Sequence, residues 1–117
     1  MRIRKLFQGN EQNESMMTYY LMAIDLKYSH AMACLGNYYR YVTMDYDLMK
    51  KYYLMAIDEL KDATAMNNLG YYYEVIEKNY DLMKKYYLMA IEQDDNDSMC
   101  RLALYYQEIE KNYDLMK

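Results

Sequence analysis

The stretch YDLMKKYYLMAI, Tyr80–Ile91, joins two blocks that each occur three times in the chain. YDLMK begins at Tyr46, Tyr80 and Tyr113, spaced by 34 and 33 residues, and YYLMAI begins at Tyr19, Tyr52 and Tyr86, spaced by 33 and 34. Two blocks with one rhythm make the rhythm a property of the whole chain. A unit of about 34 residues is the period of a helical hairpin, and stacks of such hairpins present binding surfaces far more often than they house chemistry.

Working outward from the quoted stretch locates two helices per unit. The second helix is predicted to start just after Asp45, Asn79 and Asn112, whose side-chain oxygens suit the N-cap. Asp47, Asp81 and Asp114 follow two residues later, where a carboxylate favours the positive end of the helix dipole. Met49, Tyr53 and Ala56, with their counterparts Met83, Tyr87 and Ala90, recur at i, i+4 and i+7 and supply its inner face, the small alanine allowing close approach. The first helix carries Leu35-Gly36, Leu69-Gly70 and Leu102-Ala103, with Tyr38-Tyr39, Tyr72-Tyr73 and Tyr105-Tyr106 behind them and Met32, Met66 and Met99 ahead. Methionine, leucine and second tyrosine fall at i, i+3 and i+7, one stripe of an amphipathic helix. Short turns are expected at Val42-Thr43-Met44 and Ile76-Glu77-Lys78 within units, and at Lys27-Tyr28-Ser29, Leu60-Lys61-Asp62 and Asp94-Asp95-Asn96 between them. Connections this brief make consecutive helices antiparallel neighbours.

Composition agrees with an all-α chain. Of 117 residues 54% are hydrophobic and 16% aromatic, nearly all tyrosine, with no proline and three glycines. A net charge of −4 lacks the electrostatic footprint of nucleic-acid binding. The lysine pairs Lys50/Lys51 and Lys84/Lys85 follow Asp47 and Asp81 closely enough for local helix pairing, so they need no partner. Cys34 and Cys100 fall at non-equivalent places in their repeats; unpaired thiols and the absence of a signal-peptide pattern or an apolar run of membrane length suggest an intracellular, cytoplasmic protein with no membrane partner. Residues 1–14 form a weakly patterned partial repeat, and residues 15–117 the repeat region proper. Residues 15–26 match a second helix, and 2–8 fall where its first helix belongs. The chain stops at Lys117 part-way along another second helix, so two complete repeats with a partial repeat at each end are expected.

The signatures Leu69-Gly70-Tyr71-Tyr72-Tyr73 and Asp81, Lys84, Tyr87, Ala90 resemble the tetratricopeptide superfamily, and within it the Sel1-like repeat. The likeness covers nearly all of residues 15–117. The turn around Ile76-Glu77-Lys78 lacks the glycines usual in Sel1-like units, and the proline that follows the second helix of a tetratricopeptide unit is missing. The resemblance implies a right-handed α-α superhelix, a solenoid of antiparallel hairpins that acts as a scaffold or adaptor and has no chemistry or cofactor of its own. It also implies that the first helices line a concave groove for a protein or peptide. By alignment to the leucine-glycine mark, the groove positions are His30, Ala33, Asn37, Arg40 and Tyr41, then Thr64, Asn67, Tyr71, Glu74 and Val75, then Asp97, Cys100, Leu104, Gln107 and Glu108. These differ among copies while the framework repeats, as a recognition surface would and as a drifting surface also would.

Other residue types are absorbed by the scaffold. Tyr39, Tyr73 and Tyr106 repeat and read as core residues with rim hydroxyls, which leaves Tyr41 and Tyr71 as the tyrosines for contact. Thirteen methionines suggest gap filling before soft-metal binding, since Met22, Met55 and Met89 repeat, as do Met49, Met83 and Met116. The single histidine, His30, has no nucleophile setting around it, and no metalloprotease or phosphate-loop pattern occurs; an enzyme is not expected. Some cysteine-rich Sel1-like proteins have been linked to hydrolysis, but their paired cysteines are absent. A second functional reading is end-to-end self-association through an open C-terminal face carrying Leu115 and Met116.

Overall fold

A computed structural model describes the backbone of residues 2–116 and the side chains of 11–109 and 111. Six helices follow one another: α1 Arg2–Asp25, α2 Ser29–Tyr38, α3 Tyr46–Leu60, α4 Ala63–Tyr72, α5 Tyr80–Ile91 and α6 Asn96–Met116. Among the described residues there is no strand, and no helix is long and apolar enough to cross a membrane. The chain divides into two compact units, Met1–Leu60 and Lys61–Lys117. In the first, α1 and α3 pack on α2; in the second, α4 and α6 pack on α5.

The hairpins α2–α3 and α4–α5 are built alike. Met49, Tyr53 and Ala56 are fully buried, and so are Met83, Tyr87 and Ala90. Each tyrosine ring lies on a glycine of the facing helix: a Cβ added at Gly36 would sit 2.6 Å from Tyr53 Cδ1, and one at Gly70 would sit 2.7 Å from Tyr87 Cδ1. The glycines thus go to helix crossings, where the absence of a side chain lets a ring seat, while the turns do without them. Ala103, the third counterpart, is exposed. Around each crossing Tyr52 stacks on Tyr39 at 5.7 Å, and Tyr86 on Tyr73 at 5.8 Å. The ammoniums of Lys51 and Lys85 lie over Tyr52 and Tyr86 at 5.3 and 5.2 Å. These lysines therefore serve the tyrosine stacks, a role that proximity in sequence to Asp47 and Asp81 did not suggest.

The first helix of each hairpin does not stop where the turn was expected. It continues as one π-helical turn, Tyr39–Thr43 and Tyr73–Glu77. The carbonyl of Tyr39 accepts from the N–H groups of Met44 and Asp45, and that of Tyr73 from those of Lys78 and Asn79. Met44 and Lys78 take left-handed φ of 56° and 55°, and Lys27, Lys61 and Asp94 do the same at the turns between hairpins. The caps then start the second helices as expected: Asp45 Oδ1 accepts from Leu48 N–H and Asn79 Oδ1 from Leu82 N–H, each at 3.2 Å.

Two sequence expectations fail at the ends. α1 runs unbroken from Arg2 to Asp25, without the weak hairpin expected of residues 2–26. α6 runs through Asn112, so this third cap position falls inside a helix. The octapeptide IEKNYDLM is turn, cap and helix start at 76–83 but continuous helix at 109–116. The octapeptide alone therefore does not decide the backbone; after the first copy, Tyr86 and Tyr87 fold back onto α4. The side chains of Leu115 and Met116, invoked for an open C-terminal face, lie outside the described residues.

Candidate functional site

The buried tyrosines of the two hairpins bring copy-divergent residues together around their hydroxyls. In the first unit the Tyr53 hydroxyl donates to Asn37 Oδ1. Arg40 is buried, with its guanidinium 4.7 Å from the ring centre of Tyr41, which is 62% exposed. Burial pushes the Tyr53 phenol well above its ordinary value, and the Arg40 charge pulls it part-way back. In the second unit Glu74 holds the place of Arg40, and Tyr87 donates to Glu74 Oε1 at 2.8 Å. Burial, then the hydrogen bond to Glu74, raise the Tyr87 phenol. Tyr71 holds the place of Asn37 and receives the Arg101 guanidinium on its face at 4.2 Å. One framework thus holds a cation beside the tyrosine hydroxyl in the first unit and an anion in the second.

Below this cluster in the second unit opens a cleft of about 530 Å³, lined by Glu74, Val75, Lys78, Tyr80, Leu104, Tyr105, Glu108 and Ile109. The π-helical turn after α4 aims Glu74 and Val75 into it, and the left-handed turn that follows places Lys78 and Tyr80. One face of α6 supplies the remainder, with Tyr105 against Tyr80 at 5.2 Å. The lining is mostly apolar and aromatic, with two carboxylates and one ammonium at its edge.

The groove positions expected from the sequence meet different fates. Glu74, Val75, Leu104 and Glu108 converge on the cleft, whereas Tyr71 is outside its lining and packs against Arg101. Asn67 does not face solvent: it is 8% exposed, and its amide donates to Ser98 Oγ at 2.8 Å and to Asp95 Oδ2 at 3.3 Å, tying α4 to α6. Ala33 and Arg40 are likewise buried, and Asn37 is half-buried under Tyr53. His30, Tyr41, Thr64, Asp97, Cys100 and Gln107 are exposed but outside the cleft. The divergence criterion missed Lys78, Tyr80, Tyr105 and Ile109, all of which repeat between copies. Tyr80, at the start of α5, comes to lie beside Tyr105 of α6.

Cys34 and Cys100 are free thiols, Cys34 half-buried beside the Tyr20 hydroxyl. Among the described residues no group of three or more His, Cys, Asp or Glu side chains is placed to hold a metal ion. No protein-family model, no curated protein and no solved structure matches this chain.

Proposed function

We propose that this chain is a helical-repeat scaffold, its hairpins stacked as a solenoid, that binds a protein or peptide segment and carries out no chemistry of its own. The observation that carries this reading is convergence: Glu74, Val75, Leu104 and Glu108, which vary where the framework repeats, line one cleft with an apolar floor. These four meet from the turn after α4 and from α6, while the other divergent positions are buried or lie outside the cleft. The carboxylates of Glu74 and Glu108 and the net charge of −4 favour a segment with an apolar or aromatic anchor flanked by lysine or arginine. Such a scaffold works by equilibrium recognition, acting inside a cell where its two thiols stay reduced.

Peptide display on the immobilised chain, with counter-selection against a Leu104→Asp, Glu108→Lys variant, tests the reading. The expected result is enrichment of sequences with a basic residue next to an apolar or aromatic one, all losing binding to the variant. Enriched peptides that bind the variant equally well would overturn the cleft assignment.

A further inference from the structure

The face by which α2 and α4 receive their hairpin partners recurs on α6. Met32 and Met66 are 0% and 3% exposed on that face, and Tyr73 is 8% exposed; their α6 counterparts Met99 and Tyr106 are 39% and 49% exposed. Ala103, standing where Gly36 and Gly70 receive a tyrosine ring, is exposed too. The complementary face recurs on α1. There Tyr19 stands where Tyr52 and Tyr86 stand on α3 and α5, and Tyr20 where Tyr53 and Tyr87 stand. Tyr52 and Tyr86 are 9% and 8% exposed because each is stacked on a first-helix tyrosine, at interplanar angles of 10° and 12°. Tyr19 is 69% exposed and Met22 56%. Among the described residues no ring stacks on Tyr19 or on Tyr106 from a second helix.

We infer that α1 of one copy packs on α6 of a second copy, remaking between molecules the α4–α5 pairing, with Tyr19 stacked on Tyr106. The occupant is specified by the chain itself: twice over, this first-helix face is covered by a helix carrying YYLMAI, and α1 carries that block with its tyrosine outward. The two halves of the contact are different surfaces, so the association is heterologous. One detail differs from the hairpins. A Cβ at Gly36 or Gly70 would meet the facing ring at 2.6–2.7 Å, and Ala103 has that Cβ, so its methyl holds the Tyr20 ring away from its seat. A single helix pair with this obstruction belongs at the weak end of interfaces, below about 1,200 Å² of total buried area.

Sedimentation velocity on the full chain from micromolar to near-millimolar concentration should show a weight-average mass that rises with concentration. Tyr19→Glu and Tyr106→Glu should each be monomeric alone, with unchanged helix content by circular dichroism, since both side chains are half exposed or more. Mixed in equal amounts they should form dimers and nothing larger, because one variant keeps a sound α6 face and the other a sound α1 face. Ala103→Gly should strengthen association several-fold by letting Tyr20 seat, although glycine is the poorer helix former. A wild-type chain that stays monomeric throughout overturns the inference. So does a single variant that associates like wild type, a mixture that does not dimerise, or an Ala103→Gly chain that associates more weakly.

Discussion

Gly70→Ala places a methyl group against the most enclosed ring of the second hairpin. The new carbon would stand 2.7 Å from Cδ1 and 2.8 Å from Cε1 of Tyr87, a side chain with no solvent exposure. Carbon atoms pack best about 3.5–4.0 Å apart, so ring and helix must separate by on the order of 1 Å inside a closed crossing. Overpacking of this kind costs about 1–3 kcal/mol, and the depth of the clash puts it in the upper half of that range. Alanine returns about 1 kcal/mol of helix propensity at a mid-helix position. The net expectation is a loss of about 1–2 kcal/mol, read as a lower urea midpoint by circular dichroism with unchanged slope. In a Tyr87→Ala background the ring is gone, and the same substitution should instead stabilise by about 1 kcal/mol. Ala103→Gly, at the exposed counterpart, should cost about 1 kcal/mol at dilution where only monomer is present. Stabilisation of the wild-type chain by Gly70→Ala, or an effect of the same sign and size in both backgrounds, would contradict this packing.

Three further outcomes follow from the same geometry. Lys78→Gly and Met44→Gly, at φ of 55° and 56°, should each raise stability by about 0.5–1 kcal/mol in thermal melts, because glycine relieves left-handed strain that exceeds its entropy cost. Asn79→Ala should cost about 1 kcal/mol by removing the bond to Leu82 N–H, whereas Asn112→Ala, within α6, should be neutral or stabilising; equal losses at both would contradict the α6 assignment. The phenols of Tyr53 and Tyr87 are raised in the folded chain, so their contribution is fully present below the unfolded phenol value near 10 and is lost as pH rises above it. Urea titrations should show a loss of about 3 kcal/mol between pH 9 and pH 11, at up to about 1.4 kcal/mol per group per pH unit. A Tyr53→Phe, Tyr87→Phe chain should show a much flatter profile.

The hairpins were legible because their signal is periodic and redundant. Met49, Tyr53 and Ala56 and their counterparts lie on one helical face in sequence and are fully buried in the structure. The caps Asp45 and Asn79 were legible for the same reason, since an oxygen-bearing side chain recurs just ahead of a repeated helix start. The π-helical turns were not, because a left-handed residue is announced in sequence by glycine and here lysine and methionine fill those positions. IEKNYDLM marks the limit of local reading: its two copies have the same eight residues and different backbones. The cleft was half legible. Divergence between copies found Glu74 and Leu104, but it also picked out Asn67 and Arg40, which are buried, Asn67 against Ser98 and Arg40 beside the Tyr53 phenol. It passed over Tyr80 and Tyr105, which repeat and yet line the opening.

Amide chemical-shift mapping is the direct test of the proposed recognition cleft formed by the copy-divergent residues of the second unit. A basic, aromatic-anchored peptide obtained by display is titrated into the isotopically labelled full chain. Saturable shifts should concentrate at residues 74–80 and 104–109 and be abolished by Leu104→Asp with Glu108→Lys. Saturable shifts centred elsewhere, or shifts that survive that double substitution, would contradict the cleft assignment.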